Sequence, residues 1–299
     1  MESTPIRGII PALVTPFHDD ESLNLEQMKR HTGRAIDAGA HGVFCLGTNG
    51  EFFQLTADER VAVLEAVREA ADGRVPVYAG AGTVGTRDTI TLARRLVTAG
   101  ADVLSVITPY FAAASQEELY RHFAAVADSV DVPILLYNIP ARTNANLNPS
   151  TVARLATIEN IVGIKDSSGN FDTILQYLDV TDRDAFAVLS GTDSLILSTL
   201  QAGGAGGITA IANIYPHTMV EIYEQWRAGD LDAARSAQAS IRAVRDLFRH
   251  GNPNTVVKAA TNAAGEPVGP CRAPFNHLGE QALADIDATV AADHARGLR

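Results

Sequence analysis

The feature that most restricts this chain is a rhythm. Eight short apolar runs, each followed by a stretch of helical periodicity, fill the sequence from its start to about residue 230. The runs are Gly8–Thr15, Gly42–Leu46, Val75–Ala79, Asp102–Thr108, Pro133–Tyr137, Ile161–Lys165, Phe186–Leu189 and Gly207–Ala212. Near-continuous apolar strands separated by helices predict a parallel sheet covered on both faces. Helix starts are signalled by the capping box Thr56-Ala-Asp-Glu59 and by Ser115-Gln-Glu-Glu118, and Ala-Gly pairs at 38–39, 99–100 and 202–203 read as helix ends. Eight such units predict an α/β fold of the (β/α)8 TIM-barrel kind, with an open doubly wound sheet as the alternative.

Past Gly229-Asp230 the pattern is purely helical, over Leu231–Arg249, Asn254–Ala264 and Glu280–His294, with a Gly/Pro-rich connector from Gly265 to Pro274. The expected organisation is a barrel over residues 1–230 and a C-terminal three-helix extension over residues 231–299, with no low-complexity linker to separate them. A net charge of −11 argues against nucleic acid and anionic membrane as partners. No run of about 18 apolar residues is present to span a membrane, and the N-terminus lacks a secretory pattern. Cys45 and Cys271, far apart in sequence, fit a reducing compartment, so a cytoplasmic location is expected.

Barrel enzymes build their sites at the C-terminal ends of the strands. Those exits here are Thr15-Pro-Phe17, Gly47-Thr-Asn-Gly-Glu51, Thr108-Pro-Tyr-Phe111, Tyr137-Asn-Ile-Pro-Ala-Arg142, Lys165-Asp166, Gly191-Thr-Asp193 and Ala212-Asn213. Lys165 stands out. The chain has 24 basic residues but only three lysines, Lys29, Lys165 and Lys258, and only Lys165 lies in a strand-like run, Ile161-Val-Gly-Ile-Lys165. Burying an ammonium is costly, and desolvation favours the neutral amine, the form that attacks a carbonyl to give a Schiff base. The plainer reading is a lysine whose head pairs with a carboxylate. Asp166 is a poor candidate partner, because adjacent strand residues point to opposite faces.

The other candidates also carry two readings each. The Gly47–Glu51 turn could cradle an anion with its N–H groups and with the Thr48 and Asn49 side chains, or be a tight connection only. Tyr137 could shuttle protons beside an imine, or be a packed aromatic. Arg142 suits bidentate capture of a carboxylate, or a surface or interface contact. Gly203-Gly-Ala-Gly-Gly207 precedes a strand, the wrong context for a phosphate loop, and reads as close packing. The histidines lack ligand spacing, so no metal is expected.

Three ordered motifs, Gly47-Thr-Asn-Gly-Glu51, Tyr137-Asn-Ile-Pro-Ala-Arg-Thr143 and Gly163-Ile-Lys-Asp166, resemble the dihydrodipicolinate synthase/N-acetylneuraminate lyase family of class I pyruvate-dependent aldolases. The likeness spans nearly the whole chain. It implies a (β/α)8 barrel with a C-terminal helical region, assembled as a homotetramer (a dimer of dimers). It also implies a covalent lysine imine in place of any cofactor, with pyruvate and an aldehyde as small-molecule partners. By motif, Lys165 would be the Schiff-base lysine and Tyr137 the proton-relay phenol, assisted by Thr48. Asn49 and Gly50 would hold the pyruvyl carboxylate with Thr48, and the Ile208 main chain would line the pocket. Arg142, Gly191 and Asp193 would bind the rest of the substrate.

Two departures bear on the reaction. The synthases resemble Gly-Thr-Thr-Gly-Glu where this chain has Asn49, and they carry paired tyrosines where it has Tyr110-Phe111. The second of those tyrosines joins a proton relay across the dimer, and phenylalanine cannot relay a proton. Asn49-Gly-Glu-Phe52, Lys165-Asp-Ser-Ser-Gly169 and Gly269-Pro-Cys-Arg-Ala-Pro274 look more like the branch of 4-hydroxy-2-oxoglutarate and 2-keto-3-deoxy sugar acid aldolases. Asp193 matches a position that contacts substrate hydroxyls in the sialate lyases. The expectation is therefore a Schiff-base aldolase that cleaves or forms a 4-hydroxy-2-oxo acid with pyruvate as one product. The alternatives are 4-hydroxy-tetrahydrodipicolinate synthase, a 2-keto-3-deoxy sugar acid dehydratase using the same lysine, and a non-catalytic 2-oxo-acid-binding barrel.

Overall fold

A computed structural model describes residues 6–299. All eight apolar runs form strands: β1 (Gly8–Pro11), β2 (Val43–Cys45), β3 (Val77–Gly80), β4 (Val103–Ile107), β5 (Ile134–Asn138), β6 (Ile161–Asp166), β7 (Ala187–Ser190) and β8 (Gly206–Thr209). They pair in parallel in the order β1-β8-β7-β6-β5-β4-β3-β2. The ends of this sheet meet through an Ala12–Phe44 bridge, with the Leu13 N–H donating to the Phe44 carbonyl at 2.8 Å. Sequential neighbours and closure make a barrel; an open doubly wound sheet would reverse its strand order midway.

The local signals do what their chemistry predicts. Thr56 and Ser115 cap the helices Ala57–Ala71 and Gln116–Ala127 in reciprocal capping boxes with Glu59 and Glu118. Ala38, Ala99 and Ala202 cap helices, each followed by a glycine at positive φ. Side chains including Ile10, Phe44, Tyr78, Leu135, Leu189 and Ile208 fill the barrel interior.

The C-terminal region departs from expectation in one respect. The single helix expected over Leu231–Arg249 is three pieces: Leu231–Ser240, Arg242–Asp246 and a 3-10 turn over Leu247–His250. The break falls at Ile241, where the Ser240 hydroxyl donates back to the Ala237 carbonyl at 2.7 Å and Ile241 itself is buried. Helices Pro253–Ala263 and Glu280–Ala295 follow. Ile241, Val244, Leu247, Val256 and Ile286 join Ile9 and residues of the helices Ile196–Gln201 and Pro216–Ala228 in one apolar cluster. The extension therefore shares its core with the barrel, and its broken helix turns toward the mouth formed by the strand ends.

Candidate active site

Tyr137 and Lys165 are direct register partners in the β5–β6 ladder, which puts both side chains on the same face of the sheet. Lys165 is 4% exposed. Its Nζ lies 4.2 Å from the Tyr137 ring centroid and 5.2 Å from that of Phe44. Among the described residues it makes no hydrogen bond and no ion pair, so the carboxylate-paired reading of this lysine does not describe the structure. Asp166 faces the other way, accepting from the Asn138 side-chain amide at 2.8 Å and from the Ser168 hydroxyl. Burial raises the Asp166 carboxyl, opposed by those two donors.

The turn after β2 faces this pair. The Thr48 hydroxyl lies 3.2 Å from the Tyr137 hydroxyl. Non-glycine residues with positive φ flank the turn, Leu46 at 61° and Glu51 at 54°, a conformation costing on the order of 1–3 kcal/mol each that persists only when the surroundings enforce it. The enforcement is visible. Thr15 donates to the Gly50 carbonyl at 2.7 Å, and the Asn254 side-chain amide donates to the Thr48 carbonyl. The Glu51 carboxylate is fully buried and ion-paired to Lys258 at 2.7 Å, with side-chain exposures of 0% and 2%. Burial pulls the Lys258 ammonium below its ordinary range, while Glu51 draws it back. Lys258 also donates to the Pro270 carbonyl at 2.8 Å, and the Arg272 N–H reaches the same carboxylate at 3.1 Å.

A cavity of about 280 Å³ opens over Lys165. Thr48, Asn49, Tyr137, Arg142, Lys165, Gly191, Asp193 and Ile208 all line it, so eight of the nine residues singled out in the sequence converge. Gly50 is not among the lining residues and packs against the Leu13 carbonyl and the Thr15 hydroxyl at the β1 exit. Gly191 is small for a reason. A Cβ there would stand 2.0 Å from the Ser167 hydroxyl and 2.8 Å from Lys165 Cε, so any side chain would displace the lysine. Asp193 is 3% exposed, with one carboxylate oxygen accepting from the Ala210 and Ile211 N–H groups at 3.1 and 3.2 Å. Burial raises its carboxyl against the opposing pull of Arg245 and those amides. Arg142 is exposed at the mouth and donates to the Asn252 side-chain oxygen at 3.2 Å.

Arg245, Phe248, Pro253 and Asn254, all from the C-terminal extension, complete the wall. Sequence reasoning missed them, as it missed the burial of Lys258. The available signal was Asn252-Pro-Asn254, a helix start placed after an amphipathic stretch, but nothing local says what that helix faces. Burial pushes the Cys45 and Cys271 thiols up to about 12, and both are free. Among the described residues no group of three His, Cys, Asp or Glu could hold a metal, and no helix is long and apolar enough to cross a membrane.

A family profile described as the dihydrodipicolinate synthetase family matches residues 5–293. A 4-hydroxy-tetrahydrodipicolinate synthase from Methanopyrus kandleri is 41% identical over 278 residues, covering 92% of each chain. Among solved structures, a dihydrodipicolinate synthase from Thermotoga maritima superposes with a TM-score of 0.94 at 32% identity, covering 97% of this chain and 99% of the other. A prophage protein of the dihydrodipicolinic acid synthase family from E. coli K12, solved with pyruvate, gives 0.93 at 34% identity, again covering 97% and 99%.

Proposed function

The chain belongs to the dihydrodipicolinate synthetase family, whose enzymes make or break carbon–carbon bonds through a lysine imine with pyruvate, and on that premise we propose that it joins pyruvate to aspartate semialdehyde as a 4-hydroxy-tetrahydrodipicolinate synthase. The reaction named for its M. kandleri relative supports this over the aldolase favoured from the sequence motifs alone. The observation that carries the chemistry is Lys165, a buried amine without a hydrogen-bond or ion-pair partner among the described residues, open to the cavity and beside the Tyr137 phenol.

The Thr48-Asn49 turn holds the pyruvate carboxylate, and Lys165 Nζ adds to C2. Loss of water leaves a protonated imine, which draws electrons from C3 as its proton departs, giving an enamine. Enamine C3 bonds to the aldehyde carbon, and the aldehyde oxygen takes a proton delivered through Tyr137 and Thr48. The amine of the bound semialdehyde then displaces Lys165 from C2 and closes the ring. Arg142 holds the semialdehyde carboxylate at the mouth. The extension 231–299 closes the barrel 1–230 over this site, supported by the cavity positions of Arg245 and Asn254.

A second reading runs the same imine in the retro-aldol direction on a 4-hydroxy-2-oxo acid, with Tyr137 taking the C4 hydroxyl proton while the C3–C4 bond breaks. Phe111 favours it, since a phenyl group replaces the relay tyrosine that the synthases resemble at this position. Membership of this family supports a homotetramer assembled as a dimer of dimers, in which the 95% exposed Phe111 ring could be covered. The two free cysteines support a cytoplasmic enzyme.

Borohydride reduction with pyruvate should add one pyruvyl mass to the peptide containing Lys165, and Lys165→Ala should lose both adduct and turnover. Consumption of pyruvate with aspartate semialdehyde confirms the synthase. Pyruvate released from 4-hydroxy-2-oxoglutarate or 2-keto-3-deoxygluconate, followed with lactate dehydrogenase, would move the assignment to the second reading. A protein that forms no adduct is no class I enzyme.

A further inference from the structure

An imine on Lys165 is an electron sink for whatever group leaves the third carbon of a bound 2-oxo acid, and the cavity decides which groups can leave. The Thr48 and Tyr137 hydroxyls, 3.2 Å apart, serve an aldehyde oxygen, which must gain or lose a proton as the C3–C4 bond forms or breaks. A carboxylate on C3 needs no such help. It departs as carbon dioxide and hands its bonding electrons to the imine.

Three features of the cavity suit that departure. Its volume of about 280 Å³ has room for an acid larger than pyruvate. The surroundings of Lys165 Nζ are apolar: the Tyr137 and Phe44 ring centroids lie 4.2 and 5.2 Å away, and Ile139, Ile208 and Ala210 line the walls. A carboxylate loses its charge on becoming carbon dioxide, so walls that withhold water destabilise the bound anion more than the state in which it leaves. Nor is a guanidinium free to pin it beside the lysine. Arg245 faces the buried Asp193 carboxylate, and Arg142 stands at the exposed mouth, donating to the Asn252 side-chain oxygen. A carboxylate on C3 is only two bonds from the carbon that Lys165 holds, so it takes the place of the aldehyde carbon beside Tyr137 rather than a place at that mouth.

We propose that the same cavity has a second activity, the decarboxylation of 2-oxo acids that carry a carboxylate on C3, of which oxaloacetate is the smallest. This rests on the lysine-imine reading of the site. Lys165 Nζ bonds to C2, and the keto oxygen leaves as water. The C3–C4 bond then breaks: its electron pair becomes the C2=C3 bond of an enamine, the imine pair settles on nitrogen, and C4 leaves as carbon dioxide. Enamine C3 takes a proton from solvent, and water hydrolyses the imine to free pyruvate and the amine. One proton is consumed overall, nothing is oxidised or reduced, and no step passes through the Tyr137 hydroxyl.

The test measures carbon dioxide released from oxaloacetate, in buffer containing EDTA, with and without the intact enzyme. The enzyme should raise the rate at least about tenfold above the buffer, through the covalent imine. It should release none from 2-oxoglutarate, whose second carboxylate is one carbon further out. Lys165→Ala should fall to the buffer rate. Should that variant not fold, wild-type enzyme first reduced with borohydride in the presence of pyruvate supplies the same reading, because its amine is then blocked. Tyr137→Phe should lose less than about tenfold of the decarboxylation while its carbon–carbon bond-forming turnover falls about 10²- to 10⁴-fold, a split that a merely structural change would not give. Equal losses in the two reactions would overturn the inference, as would release that survives Lys165→Ala or the reduced enzyme. So would release no faster than the buffer from an enzyme that does form the pyruvate adduct. Absence of any adduct in the wild type would instead remove the lysine-imine reading, and this inference with it.

Discussion

Replacing Lys258 by methionine should destabilise the fold by about 3–5 kcal/mol, a large part of the 5–15 kcal/mol that holds a typical domain together. The figure follows from burial rather than from attraction. Lys258 Nζ and Glu51 Oε1 are 2.7 Å apart with side chains 2% and 0% exposed. At an effective dielectric of about 20 their attraction is roughly 6 kcal/mol, but desolvating two ions offsets most of it, so the intact pair is close to neutral. Methionine keeps the stem volume and its contact with the Phe17 ring, now 4.1 Å from Nζ, yet strands a buried carboxylate. Glu51→Gln alone strands the ammonium in the same way. The double variant removes both charges and should recover a coupling energy of about 2–3 kcal/mol relative to the sum of the singles. Urea unfolding at neutral pH measures all four proteins. Because Glu51 ends the turn that carries Thr48 and Asn49, Lys258→Met should also raise the pyruvate concentration needed for half-maximal adduct. A cost under about 1 kcal/mol for Lys258→Met, or strict additivity in the double variant, would refute the reasoning.

Tyr137→Phe should still form the reducible adduct but lose about 10²- to 10⁴-fold in kcat, measured by pyruvate turnover, because only the proton relay is removed. Gly191→Ala should keep the fold by circular dichroism but slow adduct formation at least about tenfold, because its Cβ displaces Lys165 from near-attack geometry. Stability should fall as the pH drops from about 6.5 toward about 4. Burial holds His31 and His122 down at about 4 in the fold. The unfolded chain therefore takes up a proton at each histidine across that window while the folded chain does not, at up to about 1.4 kcal/mol per pH unit each. The His31 Nε2–H donates to the Asn213 oxygen at 2.8 Å, since the Asn213 amide is spent on the Ala12 and Ala210 carbonyls, leaving Nδ1 bare and buried. His31→Gln should flatten the slope of urea stability against pH, and an unchanged slope would exclude His31.

What was legible in the sequence was whatever local patterning controls. The eight strands show as apolar runs because both faces of each strand are covered. Lys165 shows because an ammonium is out of place in such a run. The partners that complete the site come from long range. Glu51 and Lys258 are 207 positions apart, and each reads alone as an ordinary charged residue in a turn or helix. Arg245 lies in a stretch with two other arginines, Arg242 and Arg249, and only the break at Ile241 decides which of the three meets the cavity. The motifs read for the reaction pointed to an aldolase of hydroxylated acids, whereas whole-chain similarity supports the synthase more strongly. Asn49 and Phe111 are single substitutions, and they weigh less than 278 aligned residues.

The cavity is built from two sources that answer to different constraints. Lys165 and Tyr137 are locked in one rung between adjacent strands of the barrel, where a shift in either would disturb the closed ladder itself. Arg245 and Phe248 ride on short turns laid over the rim, and no strand register depends on them. A lineage could therefore exchange one aldehyde for another by rewriting about a dozen residues around 241–254, leaving the imine-forming machinery untouched beneath a new roof.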